Sequence, residues 1–215
     1  MSQDARTHRD EQDRDDPPRG GEPSRALLVV DVQPTFCEGG ALGVEGGHAV
    51  AQAIAAFADA TRGSYDLLVT TQDWHIDPGG HFAVPPAEPD YVDTWPPHGL
   101  AGTQEAELHP ALADLAADVA VKKGAYAAAY SGFEGVDAQG RELVEILHEA
   151  GITAVDVVGI AESHCVRATA LDALAAGLST RVLLDLTVPV TPEQGATARR
   201  EMAAAGADLL LSTDL

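Results

Sequence analysis

The sequence predicts an α/β protein of three layers, α/β/α, in which a six-stranded parallel sheet lies between two layers of helices. Short apolar runs rich in Val, Leu and Ile alternate with helix-like segments from Arg25 onward. Buried strands that alternate with helices are typical of a parallel sheet covered on both faces. The 215 residues and the apolar share of 45% fit one sizeable domain with a full core.

Each element is predicted from its residue pattern. The predicted strands are apolar runs over residues 26–31, 66–71, 119–123, 154–160, 181–186 and 208–211. Apolar residues at helical spacing and helix-terminal residues predict helices over 47–61, 140–150, 163–177 and from 191 onward. In the last helix Thr191 is the expected N-cap, with Pro at the first helical position. Ligands of such sheets bind beyond the carboxyl ends of the strands.

Residues 1–24 differ from the rest of the chain. They are rich in Asp, Glu and Arg and contain almost nothing apolar. Such a segment cannot offset the entropy lost on ordering, so we expect a disordered tail, more simply solvated than partner-binding. Residues 25–215 are then the single folded domain.

Charge and cysteine content restrict the class of protein. A net charge of -21 and a pI near 4.4 argue against nucleic acid and against an anionic membrane as partners. The two cysteines, Cys37 and Cys165, are too few for a disulfide framework. With no apolar run suited to a signal peptide or a membrane span, the expected location is the cytoplasm. The oligomeric state is left open, a homo-oligomer included.

Three reactive residues lie at the ends of predicted strands, at one edge of the sheet: Asp31 and Lys123 end theirs, and Cys165 follows the fourth strand. A carboxylate, a cation and a thiol in one place suit acyl transfer to a cysteine nucleophile. With Ser163 as N-cap, Cys165 would lie in the first helical turn, which favours a thiolate and can bind an oxyanion. Most free cysteines are merely buried, and Cys37, with no base beside it, is interpreted in that way.

A metal site is predicted where the second strand ends. Asp73, His75 and His81 lie within nine residues, and the Pro-Gly-Gly between the histidines lets the loop fold back. His98, after a stiff Trp-Pro-Pro segment, is a fourth candidate ligand. Oxygen and nitrogen ligands of this kind suit Zn, Fe or Mn. Other histidines, such as His109, are interpreted as surface residues.

Five segments in this order carry a family resemblance: VVDVQ, QDWHIDPGGHF, TWPPH, KGAYAAAYSGFE and GIAESHCVR. Together they resemble the nicotinamidase/pyrazinamidase branch of the isochorismatase-like hydrolases, over nearly everything from Arg25 onward. The Asp, Lys and Cys alone would indicate only the superfamily. The Asp-His-His set together with TWPPH is specific to the branch.

The resemblance implies a role for each of these residues. The catalytic triad would be Asp31, Lys123 and Cys165, and the backbone N–H groups of an oxyanion hole would be those of Ala161 and Cys165. One divalent transition metal, Zn, Fe or Mn, would be bound by Asp73, His75, His81 and His98. The substrate pocket would be lined by Phe36, Trp95, Tyr130, Ile160 and His164. The resemblance also implies the strand order 3-2-1-4-5-6 and a cis Ile160–Ala161 peptide.

The implied reaction is hydrolysis of nicotinamide to nicotinate and ammonia through a cysteine thioester, as a step of NAD salvage. Pyrazinamide would give pyrazinoate in the same way, and the metal would hold the ring nitrogen. One alternative is a metal-independent amidase for a carbamoyl or ureido substrate. Another is a binding protein without turnover. An isochorismatase proper is disfavoured by the cysteine and the metal set.

Two segments depart from the usual pattern of that branch. Pro34 and Thr35 precede Phe36 where an acidic residue is usual. Glu162 and Ser163 stand where the branch usually has Thr and Asp. Because Ser can cap a helix as Asp does, we expect the helix start to be preserved.

Overall fold

The structure is a computed structural model that describes residues 23–215. The predicted disordered tail, residues 1–24, lies outside the described residues except for its last two, so the domain boundary stays a prediction. The Ser24 carbonyl already accepts hydrogen bonds from Thr153 N and Ala154 N, at 2.9 and 3.0 Å. Within the described part of the chain, no helix combines the length and the apolar character needed to cross a bilayer.

The six strands form one sheet, and every neighbouring pair is parallel. The strands are β1 Arg25–Val30, β2 Leu67–Asp73, β3 Val119–Lys123, β4 Ala154–Ile160, β5 Ser179–Val188 and β6 Asp208–Leu210. Their order is β3-β2-β1-β4-β5-β6. The predicted fold class and the strand order implied by the resemblance are therefore confirmed.

Helices cover both faces of the sheet. They are α1 Gly47–Thr61, α2 Leu143–Glu149, α3 Arg167–Ala175 and α4 Pro192–Ala205. Along β1, Leu27 and Val29 face the core that contains Ile54 of α1. Leu28 and Val30 face the opposite core, which contains residues of the other three helices. This alternation produces the three layers, because successive side chains of a strand point to opposite faces.

Two predicted helix starts were wrong. The second helix begins at Leu143 and not at Gly140, because the Asp137 carboxylate accepts the N–H groups of Gln139 and Arg141 and fixes a turn there. The third helix does not begin with Ser163 as its N-cap. A five-residue π-helical turn, Glu162–Val166, precedes α3 instead.

The Ser163 hydroxyl has another partner. It accepts the N–H of Val190 at 3.2 Å, in the loop after β5. The N-cap position of the π-helical turn belongs to Ala161. By contrast, Thr191 caps α4 as predicted, since its side chain accepts the N–H of Gln194. Short π-helical segments are rare and are often found at functional sites.

Gly159 lets β1 and β4 approach each other just before the functional edge of the sheet. It pairs with Val30 in the parallel ladder and has a φ of +132°. A Cβ atom at this position would lie 2.0 Å from the Val30 carbonyl oxygen. Asp31 directly follows Val30, the last residue of β1. The spacing between β1 and β4 therefore also sets the position of the Asp31 carboxylate.

We predict that Gly159→Ala lowers the free energy of unfolding by about 3 kcal/mol, since it adds a backbone clash to a strained φ. Gly151→Ala is the matched control, because Gly151 also has a positive φ (+67°) but open space around its Cα. It should cost only about 1 kcal/mol. Urea unfolding of both variants measures this, and equal losses would show that the close approach is unimportant.

Candidate active site and metal cluster

Lys123, the last residue of β3, has its side chain fully buried between two carboxylates. Its Nζ lies 2.8 Å from Asp31 Oδ2 and also contacts Asp73 Oδ1. It donates to the Ala129 carbonyl at 3.1 Å and lies 3.8 Å from Cys165 Sγ. The carboxyl ends of β1, β3 and β4, at one edge of the sheet, thus place the predicted acid/base, cationic and nucleophilic groups together.

Asp31 is fixed by backbone and side-chain contacts to β2. Its φ is +49°, which is uncommon for a residue other than glycine and is often seen at functional positions. The Thr71 hydroxyl donates to Asp31 Oδ1 at 2.6 Å, and the Asp31 N–H donates to the Thr71 carbonyl at 3.2 Å. One oxygen of the carboxylate therefore accepts a hydrogen bond from the Thr71 hydroxyl, and the other forms an ion pair with the Lys123 ammonium.

Burial controls the protonation of this group. It raises the pKa of Cys165 well above its usual range, although the Lys123 charge opposes the shift. Burial also raises the pKa of Asp31, again against the pull of Lys123. Burial therefore acts against the thiolate that the expected helix start would favour. A buried neutral thiol needs a nearby acceptor for its proton, and Asp31 is the carboxylate that faces it.

Three imidazoles surround the second carboxylate. His75 donates from Nδ1 to the Gly124 carbonyl at 2.6 Å, and its Nε2 lies 3.6 Å from Asp73 Oδ2. His98 repeats this arrangement, with Nδ1 on the Pro96 carbonyl at 2.8 Å and Nε2 at 3.6 Å from Asp73 Oδ2. Donation from Nδ1 leaves each Nε2 with a lone pair that points toward the carboxylate.

The cluster fits a divalent cation. One ring nitrogen from each of His75, His81 and His98 lies within 4.8 Å of the others. Across residues 23–215, His75 Nε2 and His81 Nδ1 are buried without any hydrogen-bond partner. Burial lowers the pKa of His81 to about 4, so this imidazole is neutral and free to coordinate. Converging lone pairs and a carboxylate suit a Zn-, Fe- or Mn-type ion.

One cavity connects the thiol to the imidazoles. Its volume is about 350 Å³, and Cys165, Asp73, His81 and His98 all contribute to its lining. The aromatic side chains in its wall are those of Phe36, Tyr91, Trp95 and Tyr130, with His164. Trp95 donates from Nε1 to the Tyr130 hydroxyl at 2.9 Å. Such a cavity suits a small planar molecule with one polar end for the thiol and another for a metal.

The structure confirms the cavity position of the two predicted oxyanion-hole residues but not that of one predicted pocket residue, Ile160. Ala161 and Cys165 line the cavity, and the Ile160–Ala161 peptide is cis, as the resemblance implies. The Ile160 side chain lies elsewhere: it is fully buried in the core that also contains Leu183 and Leu186. Ile160 therefore contributes backbone to this region and not a pocket wall.

Residues 25–214 match the isochorismatase domain family. The nicotinamidase/pyrazinamidase of Mycobacterium tuberculosis (strain ATCC 25618 / H37Rv) is 50% identical over 189 residues, which cover 88% of this chain and all of that protein. This chain belongs to the isochorismatase family. The assignment rests on almost the whole folded region and not on the site residues alone.

Solved structures of the isochorismatase fold agree with this assignment. Pyrazinamidase of Pyrococcus horikoshii in complex with zinc is 34% identical, with a TM-score of 0.74, and covers 88% of this chain and 99% of its own. PnC1 from L. infantum in complex with nicotinate is 32% identical, with a TM-score of 0.76, over 89% of this chain and 94% of its own.

Sequence reasoning missed part of the cavity wall. Tyr91, Val190 and the glycine-rich segment 40–44 line it without any recognisable catalytic pattern. Tyr91 lies three residues before the TWPPH segment, but no local pattern marks it as a cavity residue. The Asp90 carboxylate accepts the N–H of Val92, which helps to hold this loop.

The surroundings of Cys37 also differ from the interpretation of the sequence. His109 is buried, and ring nitrogens of His48 and His109 lie within 4.8 Å of the Cys37 sulfur and of one another. Because His109 Nδ1 accepts the Ala111 N–H, its Nε2 carries the proton and donates to His48 Nδ1 at 2.9 Å. Burial raises the pKa of Cys37 to about 11. This second cluster is thus a hydrogen-bonded chain around a protonated thiol.

We predict that Gly124→Ala lowers the metal content of the purified protein. A Cβ atom there would lie 2.5 Å from His75 Cε1 and 2.8 Å from its Nδ1, which displaces the ring. Gly140→Ala is the matched control, with a similar positive φ and nothing within 4 Å. The parent and the control should carry about one first-row transition metal per chain. Elemental analysis by mass spectrometry measures the contents, and equal values in both variants would contradict the assignment.

Proposed function

We propose that this chain hydrolyses nicotinamide to nicotinate and ammonia, and pyrazinamide to pyrazinoate, as a nicotinamidase of NAD salvage. The observation that supports this best is the single cavity that has Cys165 on one side and the imidazoles of His81 and His98 on the other. A carboxamide meta to a ring nitrogen has its two polar ends separated in this way. The similarity to a nicotinamidase/pyrazinamidase supports the same substrate class.

The first half of the reaction would form a thioester. The Asp31 carboxylate accepts the thiol proton as Cys165 Sγ attacks the carboxamide carbon. The Lys123 ammonium, 3.8 Å from Sγ, stabilises the negative charge that develops on sulfur. Backbone N–H groups of Ala161 and Cys165 would bind the oxyanion of the tetrahedral intermediate. Asp31 then returns its proton to the leaving nitrogen, and ammonia departs.

The second half would release the acid. Asp31, again a carboxylate, accepts a proton from the water that attacks the thioester carbon. The C–S bond breaks, the thiolate takes back a proton from Asp31, and nicotinate leaves. The raised pKa of Asp31 suits this exchange, because a carboxyl group that gains and loses a proton in each half-reaction must not be strongly acidic.

The metal would be bound by Asp73, His75, His81 and His98, and Zn, Fe and Mn all suit this ligand set. When bound, it supplies a Lewis acid for the ring nitrogen of the substrate. The aromatic walls Phe36, Trp95 and Tyr130 hold the ring in plane, so that the carboxamide reaches Cys165. Positioning, and not activation of water, is the role that this geometry supports.

A metal-independent amidase for carbamoyl or ureido substrates would need the same triad. It would have no use for buried imidazole lone pairs that point toward a buried carboxylate, as those of His75 and His98 do. A binding protein without turnover would not require a buried ammonium beside a thiol and a carboxylate. The first alternative therefore does not explain the imidazole cluster, and the second does not explain the buried triad.

We predict that Cys165→Ala lowers kcat for nicotinamide by about 10⁴-fold or more, because no thioester can form. Cys37→Ala is the matched control and should keep most of the activity, since the Cys37 thiol lies outside the cavity wall. Release of ammonia measures both. An inactive Cys37→Ala together with an active Cys165→Ala would assign the nucleophile to the other thiol.

We predict that benzamide is a poor substrate and pyrazinamide a good one. Pyrazinamide keeps the nitrogen meta to the carboxamide, whereas benzamide has the same shape without it. Losing that contact misplaces the carbonyl relative to Cys165 and should lower kcat/KM by about 10²-fold or more. The three amides are compared at equal metal loading. Equal kcat/KM for benzamide and nicotinamide would mean that the metal does not hold the ring.

A further inference from the structure

Glu162 is a fully buried carboxylate three residues before Cys165. Its Oε1 accepts from Arg199 Nε at 2.8 Å, and its Oε2 accepts from Arg199 Nη2 at 3.0 Å. Oε2 also accepts the Thr187 hydroxyl at 2.7 Å. The ion pair is bidentate, the arrangement with the most restrictive geometry for a guanidinium and a carboxylate.

Burial of the Glu162 carboxylate is energetically costly. Taking a carboxylate out of water costs several kcal/mol, and an apolar replacement of a buried pair is often neutral or stabilising. Stability alone is therefore a weak explanation for Glu162, which suggests that its contacts serve the neighbouring nucleophile.

The contacts of Glu162 connect the turn that carries Cys165 to the last part of the domain. Glu162 is the first residue of the π-helical turn Glu162–Val166, and its carbonyl accepts the N–H of Arg167. Its side chain bonds Thr187 at the end of β5 and Arg199 in the middle of α4.

Space for the carboxylate is provided by α4 itself. A Cβ atom at Gly195 would lie 3.1 Å from Glu162 Oε1 and 2.8 Å from two atoms of Pro189. The helix therefore approaches the turn closely because it has a glycine at this point. The Glu162 carboxylate, α4 and the loop after β5 form one packed unit behind the nucleophile.

We propose that Glu162 is a positioning residue: its bidentate pair with Arg199 and its hydrogen bond from Thr187 hold the π-helical turn so that Cys165 Sγ stays beside Lys123 and Asp31. This rests on the proposed function only in taking Cys165 as the nucleophile. Loss of the pair frees the turn to shift, and a misplacement of about 1 Å can cost about 10²-fold in rate.

The effect should appear in kcat and not in KM. The aromatic walls Phe36, Trp95 and Tyr130 come from segments outside the π-helical turn, which contributes only His164 and Cys165 to the cavity lining. A shifted Cys165 also moves away from the Lys123 ammonium, so its thiolate loses charge stabilisation. The pH at which the thiol becomes reactive should then rise, which a role in stability alone would not cause.

The test compares Glu162→Gln with Glu201→Gln in a Cys37→Ala background. Glu201 of α4 pairs with Arg167, the first residue of α3, at 2.8 Å on the surface, so its loss removes an ion pair to α4 but no side-chain contact of residues 162–166. For each variant we would measure kcat and KM for nicotinamide, and the pH dependence of iodoacetamide alkylation at Cys165. A double variant, Glu162→Leu with Arg199→Leu, removes both charges and covers the case in which the single variant does not fold.

We expect Glu162→Gln and the double variant to lower kcat about 10-fold or more, with KM within about 2-fold, and to shift the alkylation profile to higher pH. Glu201→Gln should match the background protein. Parental kcat and an unshifted profile in a folded Glu162 variant would overturn the proposal, as would a loss of activity that only follows the unfolded fraction. If the background protein does not hydrolyse nicotinamide, the proposed function fails, while the alkylation profiles still test the positioning role.

Discussion

The buried Lys123 ammonium is the interaction on which the site depends. Two carboxylates, Asp31 and Asp73, end neighbouring strands and would repel each other in a medium of low dielectric. Lys123 ends the third strand and contacts both. A buried charge is tolerated only when it is paired and hydrogen-bonded, so each of the three groups depends on the others.

The two carboxylates then face different chemistry. Asp31 turns toward the Cys165 thiol, and burial keeps the pKa of both groups raised. Asp73 Oδ1 pairs with the Lys123 ammonium, and Asp73 Oδ2 lies 3.6 Å from Nε2 of both His75 and His98. Burial opposes the shift, but the Lys123 charge and the contacts with the imidazoles hold the pKa of Asp73 well below its usual range. One lysine thus connects a thiol centre and a metal-type centre across the end of the sheet.

Much of this arrangement could be predicted from the sequence because it depends on strand ends. The alternation of apolar strands and helices fixes a parallel sheet, and β3 and β4 have the predicted bounds. In such a sheet Asp31, Lys123 and Cys165 must meet at one edge. The convergence of His75, His81 and His98 was also predictable, since a Pro-Gly-Gly turn allows the return of the loop.

Other features depend on tertiary contacts that no local pattern contains. Ser163 is a good N-cap residue, yet its hydroxyl bonds Val190 while Glu162 bonds Arg199, and a π-helical turn results. Burial raises the pKa of Cys165, an effect of the folded surroundings that the position of this residue in the sequence does not reveal. His109 was expected at the surface but is buried beside Cys37, because residues 48 and 109 meet only in the folded chain.

The most direct test of this account is the combined stability and metal content of Lys123→Met, which keeps most of the length of the side chain and removes its charge. Two buried carboxylates then lose their common partner, so the free energy of unfolding should fall by about 3 to 5 kcal/mol. The metal content should fall as well, because Asp73 loses the contact that orients it. A Lys123→Met protein with parental stability and a full metal content would contradict the account.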